Sequence, residues 1–170
     1  MKKSLLLLLT LCWGSWLMAQ KYAIIDTRYI LDKMPSYKEA QQQLDGIAAD
    51  WQKEIDGKQD KLDKMYRDYE AEQVMLTEEL RKKREDQLFA LEKEVRDLQR
   101  KRFGFEGDLF KKRQELIKPI QDKVFNAVQK ISVARGYELV FDKSEGITII
   151  FADPKLDKSE DVLKELGVRN

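Results

Sequence analysis

The sequence predicts an α+β chain: a long antiparallel helical hairpin on a small β body that oligomerisation completes. Three observations predict it. From Ser36 to Arg135 Gly and Pro nearly vanish, while apolar residues recur at steps of three, four or seven, the period of a coiled-coil seam. Two runs of opposite charge bias meet near Thr77. Short strand-like runs occur only towards the two ends of the chain.

The first residues have the form of a secretory leader. Lys2 and Lys3 precede five consecutive leucines, and Leu17-Met18-Ala19 precedes Gln20 as a cleavage site, so residues 1–19 are read as a cleaved signal peptide. The apolar stretch is shorter than the roughly 20 residues of a spanning helix. The alternative is a lipid anchor on Cys12, because Leu9-Thr10-Leu11-Cys12 is placed like a lipoprotein box, although Leu11 stands where that box takes a small residue.

Composition excludes several classes of function. The 170 residues contain no His, and the single Cys leaves with the leader, so zinc and haem sites, disulfides and His-dependent triads are excluded. No catalytic residue, metal or cofactor is expected. Asp153 and Asp157 match no calcium loop and read as turn and cap residues. Lys and Arg number 32 against 31 acidic residues; without Lys2 and Lys3 the balance is 30 to 31, unlike a dedicated nucleic-acid binder.

Along the chain, Tyr22 to Asp26 predicts a strand and Thr27 to Met34 a short helix stopped by Pro35. Ser36 with Glu39 has the spacing of a capping box for the first arm. Its seam runs through Leu44, Ile47, Trp51, Ile55, Leu62, Met65, Tyr69 and Leu76. At the ordinary helical rise this arm extends roughly 60 Å. Trp51, Tyr66 and Tyr69 read as core between the arms. The reversal is placed at Met75 to Glu79, where Thr77 caps a new helix whose first turn carries Glu78 and Glu79. One unbroken helix from Ser36 to Arg102 is the alternative.

The second arm has its seam at Leu80, Leu88, Leu91, Val95, Leu98, Phe105, Leu109, Leu116, Ile120, Val124, Ala127 and Ile131, and stops at Gly136. Residues 37–76 hold six basic and ten acidic groups, and residues 78–118 thirteen basic and ten acidic, which favours the arms lying side by side. Lys58, Glu72, Arg84 and Arg102 fall at or near seam positions, so the seam is thin. Gly104, Gly107 and the Lys118-Pro119 kink are expected hinges, since Pro119 cannot donate a helical bond to Glu115. Tyr137 to Asp142 and Ile147 to Ala152 then predict a β-hairpin about Lys143 to Gly146, and Asp157 with Glu160 caps a helix from Lys158 to Leu166 ended by Gly167.

These elements divide the chain into a leader (1–19), a β-rich body (20–36 and 118–170) and a helical arm (37–117). At most three strands make a body too small to bury its own core, and apolar edges such as Ile147 to Phe151 invite another chain, so an obligate oligomer is expected.

The order of these features resembles the Skp/OmpH family of periplasmic chaperones. The likeness rests on Lys21-Tyr-Ala-Ile-Ile-Asp26, Met34-Pro-Ser-Tyr-Lys-Glu-Ala-Gln41, the charged hairpin, Gly136-Tyr-Glu-Leu-Val-Phe-Asp142 and Asp157-Lys-Ser-Glu-Asp-Val-Leu-Lys164, behind a leader. The resemblance implies a periplasmic homotrimer whose helical arms surround a cavity. It also implies that unfolded outer-membrane proteins are held there without ATP on their way to the outer-membrane assembly machinery. Better-known members are markedly basic and this chain is near neutral, so the resemblance leaves lipopolysaccharide or lipid contact open.

On that reading Phe103, Phe105 and Phe110, around the two glycines, are candidate client contacts, as are Met75 and Leu76 at the tip. The competing account of the phenylalanines packs them against the other arm. The clusters Arg81 to Arg84, Arg100 to Arg102 and Lys111 to Arg113 either capture acidic clients or form a solvated helix face. A structural coiled-coil adaptor of the cell envelope is the alternative function; it would call for a denser and uninterrupted seam.

Overall fold

The structure, a computed structural model, describes residues 21–146 and 148–168. The leader 1–19, with Cys12, and Ile147 of the second strand-like run lie outside the described residues. The element order is β1 (Tyr22–Ile25), α1 (Thr27–Lys33), α2 (Pro35–Glu72), α3 (Glu78–Phe103), α4 (Asp108–Leu116), α5 (Lys118–Arg135), β2 (Leu139–Asp142), a 3-10 turn (Pro154–Leu156) and α6 (Ser159–Glu165). The chain separates into two compact units, residues 31–123 and residues 21–30 with 124–168; the boundaries fall within α1 and within α5.

In the first unit α2 and α3 form the hairpin, and α4 packs on both. The buried side chains are those the period selects: Leu44, Ile55 and Leu62 on α2, Leu88, Leu91 and Val95 on α3, with Met65 and Tyr69 covering the Leu62, Leu88 and Leu91 cluster. Two seam residues are displaced. Leu80 is exposed because it sits in the first turn of α3, where α2 has already ended at Glu72, and Phe105 is exposed because residues 104–107 are not helical and carry no helical period.

Helix α2 begins earlier than the capping box predicts. Pro35 is its first residue and Met34 its N-cap, with no side chain capping it, so Ser36 lies inside the helix. The reason is the fixed φ of proline, which suits the first helical position, where its missing N–H leaves nothing unpaired. At the tip Thr77 caps α3 as the sequence suggests, its hydroxyl accepting from the Leu80 N–H at 3.4 Å. The second arm is not one helix. It breaks at Gly104–Gly107 and again at Ile117, ahead of Pro119.

In the other unit β1 and β2 pair in parallel, Tyr22 against Leu139 through Ile25 against Asp142. The expected β-hairpin does not form among the described residues. The Lys143 N–H continues the ladder onto Ile25 O at 2.9 Å, so the chain leaving β2 stays on β1 instead of folding back, and Thr148 to Ala152 form no strand. The other edge of β1 is taken by a bridge from Ile24 to Asp157, with Lys158 N donating to Ile24 O at 2.8 Å. Ala23, Ile24, Ile25, Ile30, Val124, Ala127, Ile131, Val162 and Leu163 are buried in this unit. Gly136, at φ +68°, ends α5 in the left-handed conformation that glycine adopts without strain.

Candidate functional site

Ion pairs cross between the arms of the hairpin beside its thin core. Lys58 Nζ reaches Glu94 Oε1 at 2.6 Å, Arg84 lies 4.0 Å from Glu72, and Arg102 lies 3.5 Å from Glu54. The polar residues that interrupt the seam are therefore matched across it, in keeping with the opposite charge bias of the arms. The hydrogen bond between them raises Lys58 above the ordinary lysine value and lowers Glu94 below the ordinary carboxylate value. Tyr69 donates to Glu85 across the same interface, and that hydrogen bond raises the phenol.

The tip displays apolar surface. Val74 and Met75 are 86% and 80% exposed, while Leu76 is half-buried. Arg81 closes the turn, its Nη2 donating to Gln73 O at 3.4 Å, and its neighbours Lys82 and Lys83 are exposed. The tip lies one whole helix, the 26 residues of α3, from the phenylalanine group. The five candidate contacts thus form two separate patches.

The phenylalanine patch is divided in its environment. Phe103 packs edge-on to Trp51 of the opposite arm, ring centroids 6.4 Å apart, and is half-buried. Phe105 is 97% exposed, and Phe110 on α4 is exposed on one side. Between them the backbone turns sharply. A Cβ on Gly104 would lie 2.3 Å from Arg100 O, and one on Gly107 would lie 2.8 Å from Lys101 O. Both positions exclude a side chain in this geometry, which is the close backbone approach that glycine alone permits. Glu106 takes the left-handed conformation at φ +52°.

Arg102 ties this segment together. Its guanidinium lies 4.6 Å from the Trp51 ring centroid, 3.5 Å from Glu54 Oε2 and 2.7 Å from Asp108 Oδ2. A guanidinium at that distance over an indole is attracted by the negative face of the ring. Sequence reasoning placed Arg102 among the seam interruptions and in the basic cluster Arg100 to Arg102, not as a tie between helices. It missed Phe89, exposed on α3, and Val74 as well. Phe89 falls beside Leu88 and off the period of Leu88, Leu91 and Val95, and that offset was the available signal.

The smaller unit carries a polar network. Asp26 caps α1 by accepting from Tyr29 N at 2.9 Å, and its own N–H donates to the buried Ser159 hydroxyl at 2.9 Å. Asp142 accepts from Thr27 N and from Ser144 N and Oγ. Burial pushes the Asp142 carboxyl up, and the hydrogen bonds from Thr27 and Ser144 outweigh it, so the group sits below its ordinary value. Asp157 is likewise lowered: burial opposes the shift, and Lys143 at 2.7 Å with the Ser159 N–H overcomes it. Asp153 accepts from Lys155 N at the start of the 3-10 turn, and Asp157 accepts from Ser159 N at 2.9 Å in a turn. The expected cap by Asp157 with Glu160 does not form, because α6 starts one residue later than the spacing predicts, with Lys158 as its N-cap and no side chain capping it.

Among the described residues no group of three or more His, Cys, Asp or Glu is placed to hold a metal ion, and no helix is long and apolar enough to cross a membrane. Two strongly exposed apolar residues, Ile150 and Phe151, follow β2.

A long ion-paired helical hairpin with exposed apolar patches, joined to a small parallel β unit, defines a protein built to offer surface. Residues 21–166 match the family described as Outer membrane protein (OmpH-like), and the chain belongs to that family. It is similar to a protein of Aquifex aeolicus (strain VF5), described as uncharacterized, with 29% identity over 145 residues, 85% of each chain. Its fold is similar to the crystal structure of a candidate outer membrane chaperone (OmpH-like) from Caulobacter crescentus CB15, at a TM-score of 0.70 and 14% identity over 89% of this chain and 86% of that one.

Proposed function

We propose that this protein is an ATP-independent holdase of the periplasm, which keeps unfolded outer-membrane proteins apart until the outer-membrane assembly machinery receives them. Membership of the OmpH-like family and the likeness to the Caulobacter fold support an outer membrane chaperone in general. The observation that carries the finer reading is the display of large apolar side chains on a charged hairpin. Val74, Met75, Phe89, Phe105 and Phe110 are all exposed, on a hairpin rich in Lys, Arg, Asp and Glu. Many weak and separated contacts retain an unfolded chain without imposing a structure on it, because avidity replaces strong single contacts. No residue acts catalytically and no cofactor takes part.

The resemblance supplies the number three for the assembly. An oligomer is further supported by the unpaired outer edge of β2 among the described residues, since an open strand edge is a template for another chain. Ile150 and Phe151, which are 96% and 85% exposed, add apolar surface nearby in the sequence. Such surface marks an interaction site. The test is dilution of a urea-unfolded outer-membrane barrel protein into ATP-free buffer containing increasing amounts of the chaperone. Light scattering suppressed to a plateau near one oligomer per client is expected. A folded oligomer that leaves scattering unchanged would return the reading to an envelope adaptor.

A further inference from the structure

We propose that Arg102 is a latch across the break between α3 and α4, and that releasing it lets α4 swing about Gly104 and Gly107 and uncovers Phe103. Four observations within the hairpin unit converge on this. Arg102 stands in the last turn of α3, yet its guanidinium holds α2 through the Trp51 ring and Glu54, and holds the first residue of α4 through Asp108 at 2.7 Å. One side chain joins all three helices.

Helix α4, in contrast, has no buried residue of its own, so little apolar packing opposes its movement. The segment connecting it to α3 is non-helical, its backbone held by Gly104 N on Arg100 O, Gly107 N on Gly104 O and, at the start of α4, Lys111 N on Gly107 O. Finally, Arg102 Nε is buried without a hydrogen-bond partner. Opening gives that donor water, which offsets part of the loss of the ion pairs and leaves the latch poised between two states.

The latch is electrostatic, and both carboxylates are partly exposed, Glu54 at 43% and Asp108 at 25% of the side chain. High salt therefore weakens it, most at the longer and more exposed contact with Glu54, since screening shortens to about 3 Å at 1 M salt. Released, the arm presents Phe103 beside Phe105 and Phe110 as one aromatic face.

The experiment uses the full chain with Cys12→Ser, Trp13→Phe and Trp16→Phe, which leaves Trp51 as the one indole, and spin labels on Gln99→Cys and Gln114→Cys, one on each side of the break. A narrow distance distribution in low salt that broadens and shifts in 1 M NaCl is expected, together with a red shift of Trp51 emission. In R102Q and D108N the distribution should be broad already in low salt and insensitive to added salt, with far-UV circular dichroism retained. D108N removes only the tie to α4, so a D108N distribution as narrow as that of the parent overturns the latch whatever R102Q does. A parent distribution that salt leaves unchanged overturns it as well.

Discussion

Thr27 and Asp142, 115 positions apart, are bound to each other twice: the Thr27 N–H donates to Asp142 Oδ1 at 3.1 Å, and the Thr27 hydroxyl donates to Oδ2. The first residue of α1 is thereby fixed to the last residue of β2, and one of the unpaired N–H groups of the helix start is satisfied. Asp142→Ala removes the acceptor and leaves partly buried donors without partners. It is expected to destabilise this unit by about 1–3 kcal/mol, read as a lower urea midpoint and as faster amide exchange at Thr27 and Ser144. Asp142→Asn, which keeps one oxygen, should lose less.

The same network makes the unit sensitive to acid. Asp142 and Asp157 are both held below their ordinary values when folded, so in that range the unfolded chain binds more protons than the folded one. Stability is then fully present above the ordinary carboxylate range and is lost as pH falls through the folded values. Urea midpoints measured from about pH 6 down to about pH 3 should fall steadily, and the slope should be shallower in a D142N/D157N double variant.

How much of this was legible depended on whether the information was local. The hairpin was readable because the helical period is a property of neighbouring residues, and Thr77-Glu78-Glu79 carries its own cap and dipole signal. Charge bias along the two runs favoured arms lying side by side, but not which residues pair; Lys58 with Glu94 and Arg84 with Glu72 are partners that only the structure gives. The partner of β2 was not readable. Alternation in Tyr137 to Asp142 specifies a strand but not the edge it joins, and the nearest run in sequence was not its partner. Phe105 was misplaced for a different reason: the turn at Gly104 and Gly107 interrupts the helix, and a seam extrapolated through a break assigns faces that no longer exist.

The cap at the tip should matter locally and little elsewhere. Thr77→Ala removes the hydroxyl that accepts from Leu80 N at 3.4 Å, a long bond at a solvated turn. The expected loss is about 0.5 kcal/mol, the low end for an N-cap, visible as faster exchange of the Leu80 amide while amides of α2 are unchanged.

Two glycines of the hairpin should respond in opposite directions. Gly104→Ala forces a Cβ to within 2.3 Å of Arg100 O, so the break must shift and the Arg102 contacts are lost. The expected cost is about 1–3 kcal/mol, as for other overpacked positions. Gly46 lies inside α2 with nothing within 4 Å of a Cβ. Gly46→Ala should therefore stabilise the helix by about 0.5–1 kcal/mol. Melting temperatures of the two variants should lie on either side of the parent.

The three phenylalanines around Gly104 and Gly107 should separate into one that supports the hairpin and two that serve the client. Phe103 packs on Trp51, so Phe103→Ser removes an aromatic pair together with buried area, and should lower the melting temperature and disturb Trp51 emission. Phe105 and Phe110 are exposed and outside the core. Surface changes away from buried features usually stay within about 0.5 kcal/mol. A Phe105→Ser/Phe110→Ser double variant should therefore keep its helicity and melting temperature while suppressing client aggregation less well at equal concentration. Unchanged suppression by this variant would transfer the client contact to the other exposed patch, at Val74 and Met75, where the same pair of measurements on a Val74→Ser/Met75→Ser variant decides it.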